Sequence, residues 1–495
     1  IKRYPPMIRA GILCLIATPL YAAPLFEDRS LALGDHRYTG GWEHFVGGGV
    51  SVFDCNGDDL PDIFAAGGES PATLWQNAGD FEFDTVDLAP LTEVTGSYPL
   101  DINGDDILDL FVMRVGANIV LQGRGDCSFV DATSDWGIPA GDAWTTSFSA
   151  WWEGDRPTMA VGNYVDRDDP DGPFGACDDN SILSPLAKGY KETALVPGYC
   201  ALSMLASIDA SGRHRLRISN DRHYYPRGGS EQMWDTQQQR FLTEADGWPR
   251  LSVWGMGIAS RDITGDGRDD IVLTSMGDQL MQIAQSDGTY KAAPYSIGTY
   301  AQRPHTGDDG RPSTGWHAEF ADVNNDSRPD LFIAKGNVDQ MPGLAMADPN
   351  NLLMQNADGT FSEAASAAGV ATTERSRGAA LADFDGDGRL DLVVVNRRAP
   401  IELYRNITPD TGNWIAIDLR SPAPNTRAIG AVLTVNGQTR QVTVGGGHAG
   451  GQSGPLHFGL GDSTTADVAI TWPDGTVTHI NGLAADARYT LRSDM

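Results

Sequence analysis

Long apolar runs are missing from almost the whole chain. After residue 30 nothing approaches the ~18 apolar residues that a membrane-spanning helix needs, so no transmembrane segment is expected there. Basic residues are scarce: Lys and Arg number 36 against 66 Asp and Glu, for a net charge of −30. A surface of that sign repels a phosphate backbone and sets nucleic acid aside as a partner. Long amphipathic helices and heptad runs are lacking too, which argues against bundles and coiled coils. Cysteine is rare, with five residues and no Cys/His cluster, so a soft-metal site is not expected. No nucleophile elbow, phosphate loop, dinucleotide fingerprint or zinc motif occurs, and the nine histidines are scattered. What is plentiful is glycine (58) and proline (28) on a 41% apolar background, a composition suited to many short strands joined by tight turns. At 495 residues the chain would divide into several domains unless a large repeat fold absorbs most of it.

The first residues have the character of an export signal. Lys2, Arg3 and Arg9 precede an apolar stretch from Ala10 to Leu20, and Ala22 and Ala23 offer small residues for cleavage, which predicts a signal over residues 1–23. The protein is then expected to be secreted or periplasmic, where disulfides persist. Loss of the signal removes Cys14 and leaves four cysteines. Cys177 and Cys200 flank one irregular insertion and are the favoured pair, with Cys55 and Cys127 either paired or free.

Asp-rich nonapeptides recur through the chain. They read DCNGDDLPD at 54–62, DINGDDILD at 101–109, DITGDGRDD at 262–270, DVNNDSRPD at 322–330 and DFDGDGRLD at 383–391. Each follows a run of small and apolar residues and leads at once into a short apolar run, which is a hairpin with an acidic turn. Two eroded copies, at 150–163 and 208–220, fill the gap between the second and third. Between the motifs lies a second recurring theme, as in LWQNAGDFEF at 74–83 and LLMQNADGTFSEAASAAGV at 352–370, which reads as another hairpin. Two hairpins per repeat of about 55 residues make a four-stranded blade. The expected fold is all-β: a seven-bladed β-propeller over residues 31–411, followed from 412 to 495 by a small β-sandwich.

The acidic turns have the donor pattern of a calcium site. Ca²⁺ takes about six to eight oxygens in a flexible cage, and such a turn offers side chains at positions 1, 3, 5 and 9 with the carbonyl of position 7. The first loop supplies Asp54, Asn56, Asp58 and Asp62 with the Leu60 carbonyl. The second supplies Asp101, Asn103, Asp105 and Asp109 with that of Ile107. Next come Asp262, Thr264, Asp266 and Asp270 with Arg268, then Asp322, Asn324, Asp326 and Asp330 with Arg328. The last is Asp383, Asp385, Asp387 and Asp391 with Arg389. Asp and Asn also simply favour turns, but carboxylates recurring at positions 1, 5 and 9 in five loops repel one another without a cation. About five Ca²⁺ are expected. The acidic run 166–171 is read as a solvated loop.

These residues resemble the FG-GAP/VCBS repeats of integrin-α-like propellers, in the form found in bacterial relatives of the cartilage acidic protein family. After about residue 412 the Asp pattern stops and short strands alternate with turns at Asn436-Gly437 and Asp474-Gly475. The marks His457-Phe458-Gly459-Leu460-Gly461 and Trp472-Pro473-Asp474-Gly475 resemble an ASPIC/UnbV domain, with His457 and Trp472 read as core. The 445–454 stretch departs from that pattern, being glycine-rich and without an aromatic residue. The resemblance implies a monomeric, non-catalytic binding or adhesion module for an extracellular protein or glycan. The alternative is a polysaccharide hydrolase or lyase with its site in the propeller funnel. Arg222-His223-Tyr224-Tyr225 and Trp151-Trp152, in the eroded repeats, are candidates for a ligand face.

Overall fold

The computed structural model describes residues 23–169, 176–209, 211–221, 229–300, 310–339 and 341–493. The expected export signal and Arg222 to Tyr225 lie outside the described residues.

Among the described residues seven antiparallel four-stranded blades follow one another along the chain, blade 1 gaining a fifth, parallel strand from Gln452–Ser453. Blade 1 occupies residues 50–85, blade 2 94–131, blade 3 145–195, blade 4 201–241, blade 5 255–292 and blade 6 315–363. Blade 7 takes three strands from 376–406 and its outermost strand from Phe26–Asp28, which pairs antiparallel with Glu402–Asn406. The ring therefore starts ahead of residue 31. The two chain ends of the propeller thus meet in one blade, which closes the ring and leaves each blade face packed on a neighbour, with only short outer edges exposed.

The innermost strands are buried on both faces, and small residues make that bearable. In blade 7 all of Ser376–Ala382 is buried, with Gly378, Ala379, Ala380 and Ala382 leaving room near the axis. The outermost strands alternate towards water, as in Glu82–Thr85. Apolar side chains pack between neighbouring blades: Phe64, Leu74, Leu110 and Val393 join one core cluster across blades 7, 1 and 2. Each buried side chain of that size contributes about 1.5–3 kcal/mol.

Residues 413–492 form two further sheets, one of three strands and one of four. Ile415, Ile417, Leu433, Val435, Phe458, Val468, Ile470 and Trp472 make the core between them. Trp472 is thus core, as expected. Both disulfides form, Cys55–Cys127 and Cys177–Cys200. Among the described residues no helix is long and apolar enough to cross a membrane.

Candidate functional site

The five acidic loops all join the first strand of a blade to its second, so they lie at one end of the propeller. Their geometry repeats. The position-1 carboxylate accepts backbone N–H groups from within its own turn: Asp54 Oδ1 from Gly57 (2.7 Å) and Oδ2 from Asp59 (2.9 Å). Asp101, Asp262, Asp322 and Asp383 do likewise. Position 4 is left-handed in every loop, at φ 78° for Gly57, 78° for Gly104, 74° for Gly265, 58° for Asn325 and 72° for Gly386, which explains its glycine and asparagine. Position 5 accepts the N–H of position 7, as Asp58 does from Leu60 at 2.9 Å.

The ninth aspartate has a role that the spacing did not reveal. Asp62 Oδ2 accepts from Cys55 N (2.7 Å) and Oδ1 from Asn77 N on the third strand (2.8 Å). Asp391 repeats this with Phe384 (2.9 Å) and Asn406 (2.7 Å), and Asp109, Asp270 and Asp330 follow suit. Each therefore ties its loop to the next hairpin of the same blade. The signal was available in part, because the ninth residue is also the first of the second strand.

Several of these carboxyls are held above their ordinary range, first by burial and then by the neighbouring carboxylates. Asp62 is pushed up to about 7, Asp109 to about 8, Asp270 to about 7, Asp322 to about 8 and Asp383 to about 6. Oxygens of Asp383, Asp385 and Asp391 lie within 4.8 Å of one another. Asn324 Oδ1 is buried without a hydrogen-bond partner. Crowded oxygen donors that resist ionising together are a donor set suited to a hard cation. Thr264, by contrast, is exposed.

Competing partners differ from loop to loop. Arg268, Arg328 and Arg389, at position 7, fold their guanidinium groups onto Asp266, Asp326 and Asp387. Leu60 and Ile107 cannot do so, and there the position-3 amides donate instead: Asn56 to Asp58 and Asn103 to Asp105, each at 2.8 Å. In blade 4 the eroded loop is neutralised outright. Buried Arg215 bridges Asp209 (3.2 Å) and Asp235 (2.5 Å).

The C-terminal domain covers this same end. Arg420 pairs with Asp106 at 2.7 Å, Arg488 with Asp59 at 3.0 Å, and Thr426 Oγ1 donates to Asp101 Oδ2 at 2.5 Å. His457 stacks on Trp414 and meets Asn325 Oδ1 at 2.8 Å, so it joins the two domains rather than only filling a core. The position-6 acids Asp59 and Asp106, absent from the expected ligand set, are thus docking groups.

The glycine-rich stretch threads into the funnel. Val444 bridges to Ala150, Gly445 to Leu205, Gly447 to Ile258 and Gly450 to Ser97, while Gln452–Ser453 adds a parallel strand inside blade 1. A Cβ on Gly96 would stand 1.7 Å from the Ala449 carbonyl oxygen and one on Gly49 1.9 Å from it, so only glycine admits this plug. His448 is fully buried at its centre. Its Nε2 accepts from Gly47 N (3.2 Å) and its Nδ1–H donates to the Met256 carbonyl (3.0 Å), which defines a neutral ring; burial holds it down to about 3. The polar groups nearby hold the plug: His317 Nδ1 accepts from His448 N (3.2 Å), and Glu319 accepts from Gln452 Nε2 (2.7 Å). The funnel expected for an enzymatic alternative is thus filled by the chain itself along its axis. Trp151 is buried between blades and Trp152 lines a cavity of about 660 Å³ between the domains.

A ring of such blades, plugged and capped by its own small β-domain, defines a propeller-plus-cap protein of the FG-GAP type. FG-GAP-like repeats match residues 54–112, 262–333 and 337–394, and the ASPIC and UnbV model matches 421–494. The chain is an FG-GAP-repeat β-propeller ending in an ASPIC/UnbV domain. It is similar to cartilage acidic protein 1 of Homo sapiens, 24% identical over 251 residues, covering 48% of this chain and 36% of that protein. The Mus musculus protein of the same name is 25% identical over 233 residues, covering 45% of this chain and 34% of its own. The matches span about a third of the length of these relatives. Among solved structures, BBS1N in complex with ARL6DN aligns with a TM-score of 0.47 at 10% identity, covering 79% of this chain and 99% of that one.

Proposed function

We propose that the protein is an exported, calcium-binding β-propeller that serves as a non-catalytic binding module for an extracellular protein or glycan. The observation that carries this is the shared placement of the five acidic loops and the C-terminal domain at one end of the ring, with that domain's glycine loop filling the funnel. The two disulfides fit an oxidising compartment. Ca²⁺ would be held by the position-1, -3, -5 and -9 side chains with the position-7 carbonyl, the ninth aspartate also fixing the loop to its blade. Its charge offsets the crowding of Asp383, Asp385 and Asp391 and firms the floor on which the C-terminal domain rests.

A ligand that binds only the folded state adds about 2.7 kcal/mol per independent site at a hundred times its Kd. Melting in excess Ca²⁺ is therefore expected at a clearly higher temperature than after exhaustive chelation. Equal melting temperatures would overturn the calcium reading.

A further inference from the structure

A cavity of about 490 Å³ opens at the end of the ring opposite the acidic loops. It is bounded by the segments that enter the first strands of blades 1, 2 and 3 and that leave the second strands of blades 1 and 3. Five acids line it: Glu43, Glu69, Glu93, Asp166 and Asp169. The one base among the described lining residues, Arg167, pairs with Glu43 at 2.6 Å. Glu69, Glu93 and Asp166 thus leave the wall negative, on a protein that is itself strongly acidic, and such a field concentrates cations.

Two buried rings in the same wall lack hydrogen-bond partners. His44 is 2% exposed and neither ring nitrogen is hydrogen-bonded, although Nε2 stands 3.3 Å from Glu93 Oε2. Burial lowers its pKa against the opposing pull of Glu93, which favours the uncharged ring. Trp144 is 1% exposed and its Nε1 is also unpartnered. A buried polar group left without a partner is costly, so the His44 ring marks a place where a ligand that donates adds a bond, whereas the Trp144 N–H, a donor only, takes none from a cation. Beside them Trp42 is 46% exposed and lies edge-on to Trp144. Glu93 is held at φ 63° by its N–H bond to the Gly68 carbonyl, which fixes its position beside His44.

The size and donor set select the kind of cation. Among the described residues no three ligand atoms of this wall lie within 4.8 Å of one another, so a bare metal ion finds no cage. The volume is that of a small-molecule pocket, and an exposed indole beside carboxylates suits a cation on an organic stem. We propose that this cavity binds an organic cation, an alkylammonium or guanidinium group. Glu69, Glu93 and His44 accept its N–H donors and Trp42 packs against it. The inference deepens the binding-module reading by giving it a ligand chemistry. That chemistry is shared by a free polyamine and by the lysine or arginine side chain of a peptide.

The test is calorimetric titration of the full chain in saturating Ca²⁺, followed in parallel by tryptophan fluorescence. The probes are Nα-acetyl-arginine methylamide, its neutral citrulline isostere, Nα-acetyl-lysine methylamide, spermidine, N,N′-diacetylchitobiose and Zn²⁺. The arginine compound should bind at least tenfold more tightly than the citrulline one. E93Q should weaken it tenfold or more, and W42A should weaken it and remove the fluorescence change. Tighter binding of spermidine than of the lysine compound identifies free amines as the source, and the reverse order identifies peptides. Equal binding of arginine and citrulline compounds, binding of chitobiose or Zn²⁺ alone, no binding of any cation, or an unaffected E93Q that melts like the parent would each overturn the proposal. A melting temperature insensitive to Ca²⁺ with cation binding intact would overturn the calcium reading and leave this one standing.

Discussion

The two ends of the ring put acidic residues to different use. At the loop end each aspartate is built into its own turn: backbone N–H groups close on Asp54 and Asp62, and an arginine or asparagine leans on position 5. At the opposite end Glu43, Glu69 and Glu93 stand around a cavity whose buried histidine and tryptophan lack hydrogen-bond partners. The loop end is also covered by a second domain, whereas Trp42 at the other end is left half in water. The difference teaches that acidic content alone says little. What separates scaffold from binding surface is whether the polar groups are already satisfied by the chain.

One disulfide serves each end, which offers the strongest way to break the comparison. Cys55–Cys127 ties the first acidic loop to blade 2 across a separation of 72 residues, and closing a loop of that size is worth about 4 kcal/mol in the chain-entropy model. The double variant C55S/C127S should lose about that much in urea unfolding under oxidising conditions and weaken Ca²⁺ binding, with the cation cavity intact. A loss of cation binding of the same size would show that the two ends are not independent.

Acid should attack the plugged, capped end next. His448 and His457 are both held down to about 3 by burial, against an ordinary value near 6.5. A histidine depressed in the folded state binds its proton mainly when unfolded, so its contribution is whole above about pH 6.5 and is lost as pH falls from there towards 3. Between about pH 7.5 and 5 each should cost about 2 kcal/mol. Buried acids such as Asp109 are shifted the other way, so the measurement is a difference in saturating Ca²⁺: the stability of H448N should fall less steeply over this range than that of the parent. Parallel curves would refute the role given to His448.

A steric test of the plug comes third. G96A places a methyl group where the Ala449 carbonyl stands. Overpacking of this kind costs about 1–3 kcal/mol, and protease cleavage within 445–454 should become faster than in the parent. Smallest is D106N, which removes one of the two carboxylate partners of Arg420, the other being Asp418. Such pairs are worth about 0–1 kcal/mol, so the melting temperature should barely move. A large drop would mean that position 6 does more than dock the C-terminal domain.

Much of the scaffold was legible because its logic is local. A strand, an acidic turn and a strand fit within about twenty residues, and the hydrogen bonds that shape the turn join Asp54 to Gly57 and Asp59 or Asp58 to Leu60. The period of those turns implied blades, their number implied a ring, and the end of the pattern near residue 412 marked a second domain. The clustering of acidic side chains in these turns was legible for the same reason. Less visible were the arginines at position 7, which the sequence offered only as carbonyl donors and which the fold turns onto Asp266, Asp326 and Asp387.

What the tertiary structure alone decided is whatever joins distant residues. Phe26–Asp28 completes a blade whose other strands begin at residue 376. His448 meets Gly47 across 401 positions and stops the funnel with a stretch whose glycines gave no hint of their destination. Glu69, Glu93, Trp144 and Asp166 come from three different blades and share one cavity only because the ring brings its segment ends together. Periodicity reports which residues a strand or turn needs. It carries no information about which faraway backbone will approach within hydrogen-bonding distance, because that follows from the closure of the whole ring and not from any single repeat.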